Sequence, residues 1–488
     1  SHMLFAAHFS LVVALLDVSY AILDPRQLLD SLPSFNEFSS LRKKHSAMMK
    51  DYPFGAVDFS CGGLDPSSGS SDVHHLSPSD VRVVAALGDS LSAGYDALAE
   101  RSVDLGNEYR GVSFDAGGDN SLRERATLPN ILRVFSPNVT GASRGVFRKR
   151  LLNPRSPLLI DDFNVAVTGA TSVALAGQIN ELVRRLNATR RVDMMNDYKL
   201  ITIFIGSNDL CDYSTNTTLY SPSAYHTRIR AGLEEIRRRI PKAFVALLPP
   251  FNVFAINETH GASEFCRLFH HKVCPSLFAL SPADAALLFA AYSSPLNDIA
   301  DAVSSDSFAV TVVPALTSER MPQLWGTPNL AMMALDCFHF SALTHDVSAK
   351  LLWQNLLVPP GAARKTAALF EELQLEKPAC PRPECPYFHT TRTGCSERRE
   401  QSLRVLAGSR DRSSPHRTST SPIVVLIVIA MVGVLAFATV STLVRARTTW
   451  RRLHTPILHL HEQEKTKKNR KPSEDTPLLQ TFYYKEYY

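Results

Sequence analysis

Short apolar segments rich in β-branched residues recur along the chain, without the alternation of polar and apolar residues that a half-exposed strand requires. Continuous apolar strands of this kind are typical of a parallel sheet covered on both faces. They occupy residues 81–87, 163–167, 200–205, 243–247 and 308–313. Helical patterns lie between them, at residues 173–186, 224–240, 282–303 and 342–356. The alternation of strands and helices predicts a doubly wound α/β sandwich.

A longer apolar segment of a different kind, residues 422–444, contains no charged residue. At about 1.5 Å per residue, a helix of this length covers roughly 34 Å, which is enough to cross a bilayer. Four arginines follow it at once: Arg445, Arg447, Arg451 and Arg452. The positive-inside rule then predicts one C-terminal transmembrane helix in a type I plasma-membrane protein, with residues 445–488 as a cytoplasmic tail. A buried core helix is the alternative for this segment.

The region before this segment divides by composition. Residues 1–3 resemble the remnant of a cleaved tag, and the apolar stretch after them ends near Ser19 and Ala21, so we predict a signal peptide at residues 1–21. A buried N-terminal helix is the alternative, because Asp17 interrupts the stretch. Residues 22–80, rich in Ser, Pro and Asp, are predicted to wrap the surface of a main domain at residues 81–395. Residues 396–421, rich in Ser, Arg and Thr, are predicted to form a solvated stalk.

All eight cysteines precede the 422–444 segment, on the side predicted to be extracytoplasmic. An even number in an oxidising compartment predicts disulfides, and we predict a local pair between Cys266 and Cys274, leaving the rest of the connectivity open. Three cysteines near the end of the main domain offer zinc ligation as an alternative, but they lack paired C-x-x-C elements, so we predict no metal. They are Cys380, Cys385 and Cys395.

Four sequons lie on the same side and predict a glycoprotein if that side is extracellular. Their asparagines are Asn138, Asn187, Asn216 and Asn257. The formal net charge is only +5 over 488 residues, and the basic residues are scattered or lie near the C-terminal end. We therefore expect no binding of nucleic acid.

The sequence Gly-Asp-Ser-Leu, which contains Ser90, follows the first predicted strand. Nucleophiles gather at the carboxyl ends of parallel strands, and a serine hydroxyl needs a base that a third group orients. The sequence Asp336-Cys-Phe-His339 supplies both, since a spacing of three residues lets the carboxylate reach Nδ1 of the imidazole while Nε2 faces Ser90. An ordinary turn at Ser90 and a capped helix start before residue 342 are the alternatives.

Two more strand ends offer hydrogen-bond donors for a developing oxyanion. Gly169 follows the second predicted strand, and Asn208 lies in Gly-Ser-Asn-Asp after the third. With the backbone amide of Ser90, they would complete a three-donor oxyanion hole. Taken alone, each is also an ordinary turn.

Two patterns compete with this interpretation. Gly141-Ala-Ser143-Arg-Gly145 fits the G-x-S-x-G elbow, but no buried strand precedes it. His270 and His271 are adjacent, so their rings do not face together for a metal, and we expect both on the surface.

The set Ser90, Gly169, Asn208, Asp336 and His339, in this order, resembles the GDSL or SGNH hydrolase family. This resemblance implies a flavodoxin-like three-layer α/β/α sandwich around a parallel sheet, and it implies no cofactor. It also implies catalytic roles for Ser90, Asp336 and His339, and oxyanion roles for Ser90, Gly169 and Asn208.

Segments after the nucleophile are similar to the membrane-associated phospholipase B branch of that family, over roughly residues 50–395. They include Tyr-Arg-Gly-Val-Ser at 109–113, Gly-Gly-Asp at 117–119, 127–132 and 135–137. This similarity implies release of fatty acids from phospholipids and lysophospholipids at a membrane surface. A carbohydrate or small-ester deacylase and a catalytically silent lipid-binding receptor are the alternatives.

The predicted cytoplasmic tail contains a short acidic dileucine pattern, formed by Glu474, Leu478 and Leu479. It resembles signals that recruit clathrin adaptors, and it predicts cycling between the cell surface and endosomes or lysosomes.

Overall fold

The computed structural model describes residues 25–62, 70–148, 162–324, 326–361 and 377–395. The predicted signal peptide, the stalk, the 422–444 segment and the tail with Glu474, Leu478 and Leu479 lie outside the described residues. Within the described ranges, no helix combines the length and apolar character needed to cross a bilayer.

Four parallel strands form the central sheet, in the order β1-β2-β3-β4 along both the chain and the sheet. They are β1 (Val81–Gly88), β2 (Tyr198–Phe204), β3 (Ala243–Leu248) and β4 (Phe308–Val312). Nearly every strand residue is buried, which is why these segments lack polar alternation. The predicted α/β fold with a parallel sheet is confirmed.

The predicted strand at residues 163–167 lies beside the free edge of β1, but it is not a regular strand. The amide of Val165 donates to the carbonyl of Ala86 (2.9 Å), and the amide of Val167 donates to the carbonyl of Gly88 (3.1 Å). This pairing carries the residues that follow Val167 to the carboxyl-terminal edge of the sheet.

Eleven α-helices occur in the described residues. They are α1 (Pro33–Met48), α2 (Ser90–Ala93), α3 (Leu128–Leu132), α4 (Leu175–Ala188), α5 (Ser207–Asp212), α6 (Pro222–Arg239), α7 (Glu264–Val273), α8 (Ser276–Ala279), α9 (Pro282–Ser293), α10 (Leu296–Val303) and α11 (Ala342–Leu356). Two-residue strand pairs join Asn107–Glu108 to Phe147–Arg148 and Gln323–Leu324 to Thr327–Pro328. Helices α4, α6 and α10 pack in one group, and α3 packs with α11 in another. Two separate groups are what a sheet covered on both faces requires.

The single helix predicted at residues 282–303 is wrong, because the structure contains two helices there. Helix α9 ends at Ser293 and α10 begins at Leu296. Pro295 stands between them, and its ring lacks the N–H that an uninterrupted helix would need.

The predicted oxidised framework is confirmed, since four disulfides join all eight cysteines. They are Cys61–Cys380, Cys211–Cys274, Cys266–Cys337 and Cys385–Cys395. The predicted pair of Cys266 with Cys274 is wrong. Cys266 lies in the first turn of α7 and Cys274 caps the end of that helix. Eight helical residues at about 1.5 Å each separate them by roughly 12 Å, too far for a disulfide.

The N-terminal segment packs on the sandwich through α1, a helix that the Ser- and Pro-rich sequence did not indicate. Its Phe35 and Phe38 both contact Phe265 of α7, with ring centroids 5.1 and 5.5 Å apart. Arg42 of α1 donates to the carbonyl of Met333 (2.8 Å), and Nδ1 of His45 accepts from the amide of Leu330 (3.1 Å). Helix α1 therefore supports the loop that precedes Asp336.

Candidate active site

Ser90 begins the short helix α2 directly after β1. Asp89 caps this helix, since its side chain accepts from the amide of Leu91 at 2.9 Å. Gly88 is required by a close approach: a Cβ there would lie only 2.5 Å from the carbonyl oxygen of Phe204 on β2. The strand end, the glycine and the cap together fix where the Ser90 hydroxyl stands.

The hydroxyl of Ser90 lies 2.8 Å from Nε2 of His339, although 249 positions separate the two residues in sequence. On the other side of the ring, Nδ1 lies 2.5 Å from Oδ2 of Asp336. Ser90, Asp336 and His339 are 5%, 1% and 7% exposed. The structure therefore brings all three predicted residues into one hydrogen-bonded chain that is largely closed to water.

The electrostatics of the buried pair follow from its geometry. Burial opposes the charge on Asp336, but the attraction of His339 and the hydrogen bonds from its ring and amide outweigh burial, so the pKa of Asp336 lies below its usual value. The other oxygen of Asp336 accepts from the amides of Phe338 (2.9 Å) and His339 (3.0 Å). Asp336 is thus a carboxylate with a donor on each oxygen.

The loop between Asp336 and His339 is held from outside by α7. Cys337 adopts the left-handed region (φ 61°) and is bonded to Cys266 of α7. Its carbonyl lies 2.7 Å from Nε2 of His270, whose Nδ1 lies 2.9 Å from Nε2 of His260. Burial lowers the pKa of His270 to about 3, so this ring is neutral and donates to Cys337. The expectation that His270 lies on the surface is therefore wrong.

The loop that carries Gly169 and the start of α5, which carries Asn208, meet at the same sheet edge. Gly169 has φ 77°, a conformation that favours glycine. Nδ2 of Asn208 donates to the carbonyl of Ala170 (2.9 Å), which joins α5 to the Gly169 loop. The carboxylate of Asp209 accepts from the amide (2.7 Å) and hydroxyl (2.5 Å) of Ser172. An amide nitrogen carries two hydrogens, so Asn208 keeps a second donor.

Two positioning side chains were missed by sequence reasoning. Gln178 of α4 clamps Gly88, accepting from its amide (2.9 Å) and donating to its carbonyl (2.7 Å). Arg110 donates to the carbonyls of Asn164 (3.2 Å) and Ala166 (2.8 Å), just before Gly169. The sequence signal that could have indicated Gln178 was a buried glutamine within an amphipathic helix. The signal for Arg110 was the segment 109–113.

One group of the described residues brings ligand-type atoms close enough to hold a metal: Asp96, Asp336 and His339, all within 4.8 Å of one another. However, Nδ1 of His339 and Oδ2 of Asp336 are only 2.5 Å apart. Two ligands of one cation at about 2.1 Å in tetrahedral geometry lie roughly 3.4 Å apart. The observed distance is that of a hydrogen bond between the ring and the carboxylate.

The other features of the sequence lie away from this chain of hydrogen bonds. Ser143 is buried, and its hydroxyl donates to the carbonyls of Arg110 (2.9 Å) and Ala116 (3.2 Å). A cavity of about 860 Å³ lies beyond β3 and β4, lined in part by Asn252 and Phe289, and neither Ser90 nor His339 lines it. The four sequon asparagines, Asn138, Asn187, Asn216 and Asn257, are all exposed.

A parallel α/β sandwich that joins a serine, a histidine and an aspartate at its carboxyl-terminal strand edge has the architecture of a serine hydrolase. The family described as GDSL-like Lipase/Acylhydrolase matches residues 84–352 of the chain. The chain belongs to this family, and the resemblance predicted from its sequence is confirmed.

Membrane-associated phospholipase B1 of three mammals is similar to the chain. The mouse protein is 33% identical over 350 residues, and the rat protein is 33% identical over 349. The human protein is 31% identical over 347 residues. The matched part covers 69%, 68% and 69% of this chain, but only 23% of each relative. The chain thus aligns with about a quarter of the length of these relatives.

Proposed function

We propose that the chain is a serine esterase that hydrolyses the fatty-acyl esters of phospholipids and lysophospholipids. The observation that carries this proposal is the buried contact of Ser90 Oγ with Nε2 of His339 (2.8 Å), while Asp336 binds the opposite ring nitrogen. A hydroxyl at this distance from an imidazole that a carboxylate orients is the arrangement that makes serine a nucleophile.

In the first step, Ser90 Oγ attacks the ester carbonyl carbon while its proton passes to Nε2 of His339. The negative charge on the carbonyl oxygen is stabilised by the amides of Ser90 and Gly169 and by the side chain of Asn208. One such donor contributes about 3 kcal/mol to transition-state stabilisation. Asp336 stabilises the imidazolium, which then protonates the leaving alcohol, and an acyl-enzyme remains.

In the second step, His339 takes a proton from water, and the resulting hydroxide attacks the acyl carbon. The imidazolium returns the proton to Ser90 as the fatty acid leaves. No redox change and no metal enters this sequence, since water is the only co-reactant.

The decisive variant is Ser90→Ala, which removes the nucleophile and only one oxygen atom. We expect loss of at least about 10³-fold in kcat with an unchanged fold. Ser143→Ala is the matched control, because Ser143 is also a buried serine, but among the described residues its hydroxyl is hydrogen-bonded to backbone carbonyls and to the side-chain amide of Asn164. Covalent labelling by a fluorophosphonate must disappear in Ser90→Ala and persist in Ser143→Ala. Full activity of Ser90→Ala would require another nucleophile.

The substrate class is supported by the names of the relatives, all membrane-associated phospholipases. Product analysis with mixed phospholipids and lysophospholipids is the test, and we expect free fatty acid. Faster turnover of acetylated sugars would indicate a small-ester deacylase. Lipid binding without hydrolysis or labelling would indicate a silent receptor.

We also propose a type I orientation at the plasma membrane, with the catalytic domain outside. The support is the apolar 422–444 segment with its following arginines, and the four disulfides, which are typical of an oxidising compartment.

The tail pattern Glu474, Leu478 and Leu479 would bind a clathrin adaptor. Replacing both leucines by alanine should lengthen surface residence, and unchanged residence would contradict this role.

A further inference from the structure

A second buried aspartate lies behind the proposed catalytic pair. Asp96 is 0% exposed, follows α2 by three residues and adopts the left-handed region (φ 56°). Its amide donates to the carbonyl of Asn107 (2.9 Å), and its Oδ1 accepts from the amide of Gly106 (2.7 Å). These contacts fix the direction of the carboxyl group.

The remaining oxygen, Oδ2 of Asp96, is buried and has no hydrogen-bond donor among the described residues. The carboxyl groups of Asp96 and Asp336 and the ring of His339 approach within 4.8 Å of one another. Asp336 already accepts hydrogen bonds on both of its oxygens. Two ionised carboxylates at this distance in a dry interior would repel each other strongly, so only one of them keeps its charge.

The charges decide which carboxyl group holds the proton. Burial, and then the charge of Asp336, raise the pKa of Asp96 well above its usual value. His339 holds the pKa of Asp336 below its usual value in spite of burial. Protonation of Asp96 removes the repulsion, and it turns an oxygen that lacks a donor into a donor itself.

We propose that Asp96 is a positioning residue, which carries a proton at neutral pH and donates it in a hydrogen bond to the carboxylate of Asp336. This inference rests on the proposed function, because Asp96 acts only through Asp336 and His339. The hydrogen bond holds the Asp336 carboxylate towards Nδ1 of His339, so that Nε2 stays in line with Ser90. The chain of hydrogen bonds then has four members instead of three.

The other titratable or charged side chains around Asp96 have partners of their own. The ring of Tyr95 lies 4.6 Å from that of His339, and Glu108 is paired with Arg110 at 2.8 Å. The hydroxyl of Tyr109 donates to the carbonyl of Asp104 (3.4 Å). Asp336 is therefore the charged group to which Asp96 responds.

Substitution by asparagine separates this role from simple packing. Asp96→Asn keeps an N–H donor in place of the acid proton, whereas Asp96→Ala removes the donor. The readout is the rate at which a fluorophosphonate labels Ser90. In that reaction the bond from Oγ to phosphorus forms, fluoride leaves and the Oγ proton passes to His339. We expect Asp96→Ala to slow labelling and kcat by about 10- to 100-fold, and Asp96→Asn to restore most of the loss.

The pH profile supplies a second readout that packing would not change. Because the pKa of Asp96 lies well above its usual value, the native protein should lose activity at alkaline pH, once Asp96 ionises beside Asp336. Asparagine cannot ionise, so the profile of Asp96→Asn should lack this alkaline decline. KM should change little in both variants, because the Asp96 side chain is fully buried.

The outcomes separate failure of this inference from failure of the proposed function. If native protein is neither labelled nor hydrolytic, the proposed function is wrong. If native protein is active and both variants match it, or asparagine is as harmful as alanine, the role of Asp96 is wrong. Loss of native activity on chelation would also overturn it, by showing a cation between the carboxyl groups.

Asp346→Asn is the matched control, because it alters a buried carboxylate elsewhere in the fold. We expect this variant to have a lower melting temperature but an unchanged labelling rate per folded molecule.

Discussion

Asp89 stands between β1 and Ser90, and its second carboxyl oxygen is buried without a hydrogen-bond partner among the described residues. Burial raises its pKa from 3.8 to about 7, and the carboxyl groups of Asp209 and Asp115 act in the same direction. A protonated Asp89 would still cap α2, because its other oxygen accepts from the amide of Leu91.

The raised pKa of Asp89 makes stability fall with rising pH. Below pH 3.8 both folded and unfolded chains hold the proton, and up to about pH 7 only the folded chain keeps it. Each pH unit in this window therefore lowers the free energy of unfolding by about 1.4 kcal/mol, and the loss ends above the folded-state pKa. Asp89→Asn does not titrate. Urea titrations should show that the free energy of unfolding of Asp89→Asn, relative to that of the native protein, rises through this pH window. A difference that stays constant with pH would contradict a raised pKa for Asp89.

The Cys266–Cys337 disulfide connects helix α7 to the loop that carries Asp336 and His339. It closes a loop with a sequence separation of 71, and Cys211–Cys274 closes one with a separation of 63. Chain entropy gives the two bonds nearly equal stabilisation, about 4 kcal/mol each. Only the first holds the candidate catalytic loop, so the two are a matched pair.

Alanine at both Cys266 and Cys337 should lower kcat by about 10-fold or more per folded molecule, because the Asp336–His339 loop loses its link to α7. Alanine at both Cys211 and Cys274 should lower the free energy of unfolding by a similar amount but change kcat less, because α5, which carries Cys211 and Asn208, stays joined to Ala170 and Ser172 by hydrogen bonds. Denaturant titration and esterase assays on the two variants check this. Equal kcat in both would mean that His270 and the local turn suffice to hold the loop.

The elements of the sheet could be predicted from sequence because each strand is buried on both faces and reads as one apolar run. Strand β2 was predicted at 200–205 and occupies Tyr198–Phe204. Helix α1 could not be predicted in the same way. Its Phe35 and Phe38 pack against Phe265, which lies more than 200 positions away in sequence, so no local pattern shows that they are buried. The disulfide pairing could not be predicted for the same reason, because it depends on contacts between residues that are distant in sequence.

In the candidate site too, some residues could be predicted from the sequence and others could not. Ser90 and the Asp336–His339 pair could be predicted because a parallel sheet brings strand ends to one edge, and because a short spacing joins an acid to a base. Asp96 gave no such signal: it becomes significant only when the turn after α2 packs against the Asp336 loop. Its left-handed backbone is a consequence of that turn, and no local pattern indicates it.

Across the whole molecule, a buried ion pair within α11 holds the N-terminal segment through hydrogen bonds to Tyr52, Pro53 and Gly55. Nζ of Lys350 lies 2.9 Å from Oδ1 of Asp346, and neither side chain is exposed. Asp346 also accepts from the amides of Gly55 (2.8 Å) and Ala126 (2.6 Å) and from the hydroxyl of Tyr52 (3.0 Å). One carboxylate on α11 thus binds two distant segments of the chain.

Lys350→Met should lower the free energy of unfolding by about 3–5 kcal/mol, because it leaves the Asp346 carboxylate buried without its cation. Lys199→Met is the matched control. Lys199 is equally buried, but its ammonium donates to the carbonyls of Asp197 (2.8 Å) and Pro241 (2.9 Å), so its loss leaves neutral acceptors and should cost about 1–3 kcal/mol. Denaturant titrations with intact disulfides measure both. Equal losses would show that the stability comes from lysine packing, and that charge pairing does not hold the N-terminal segment in place.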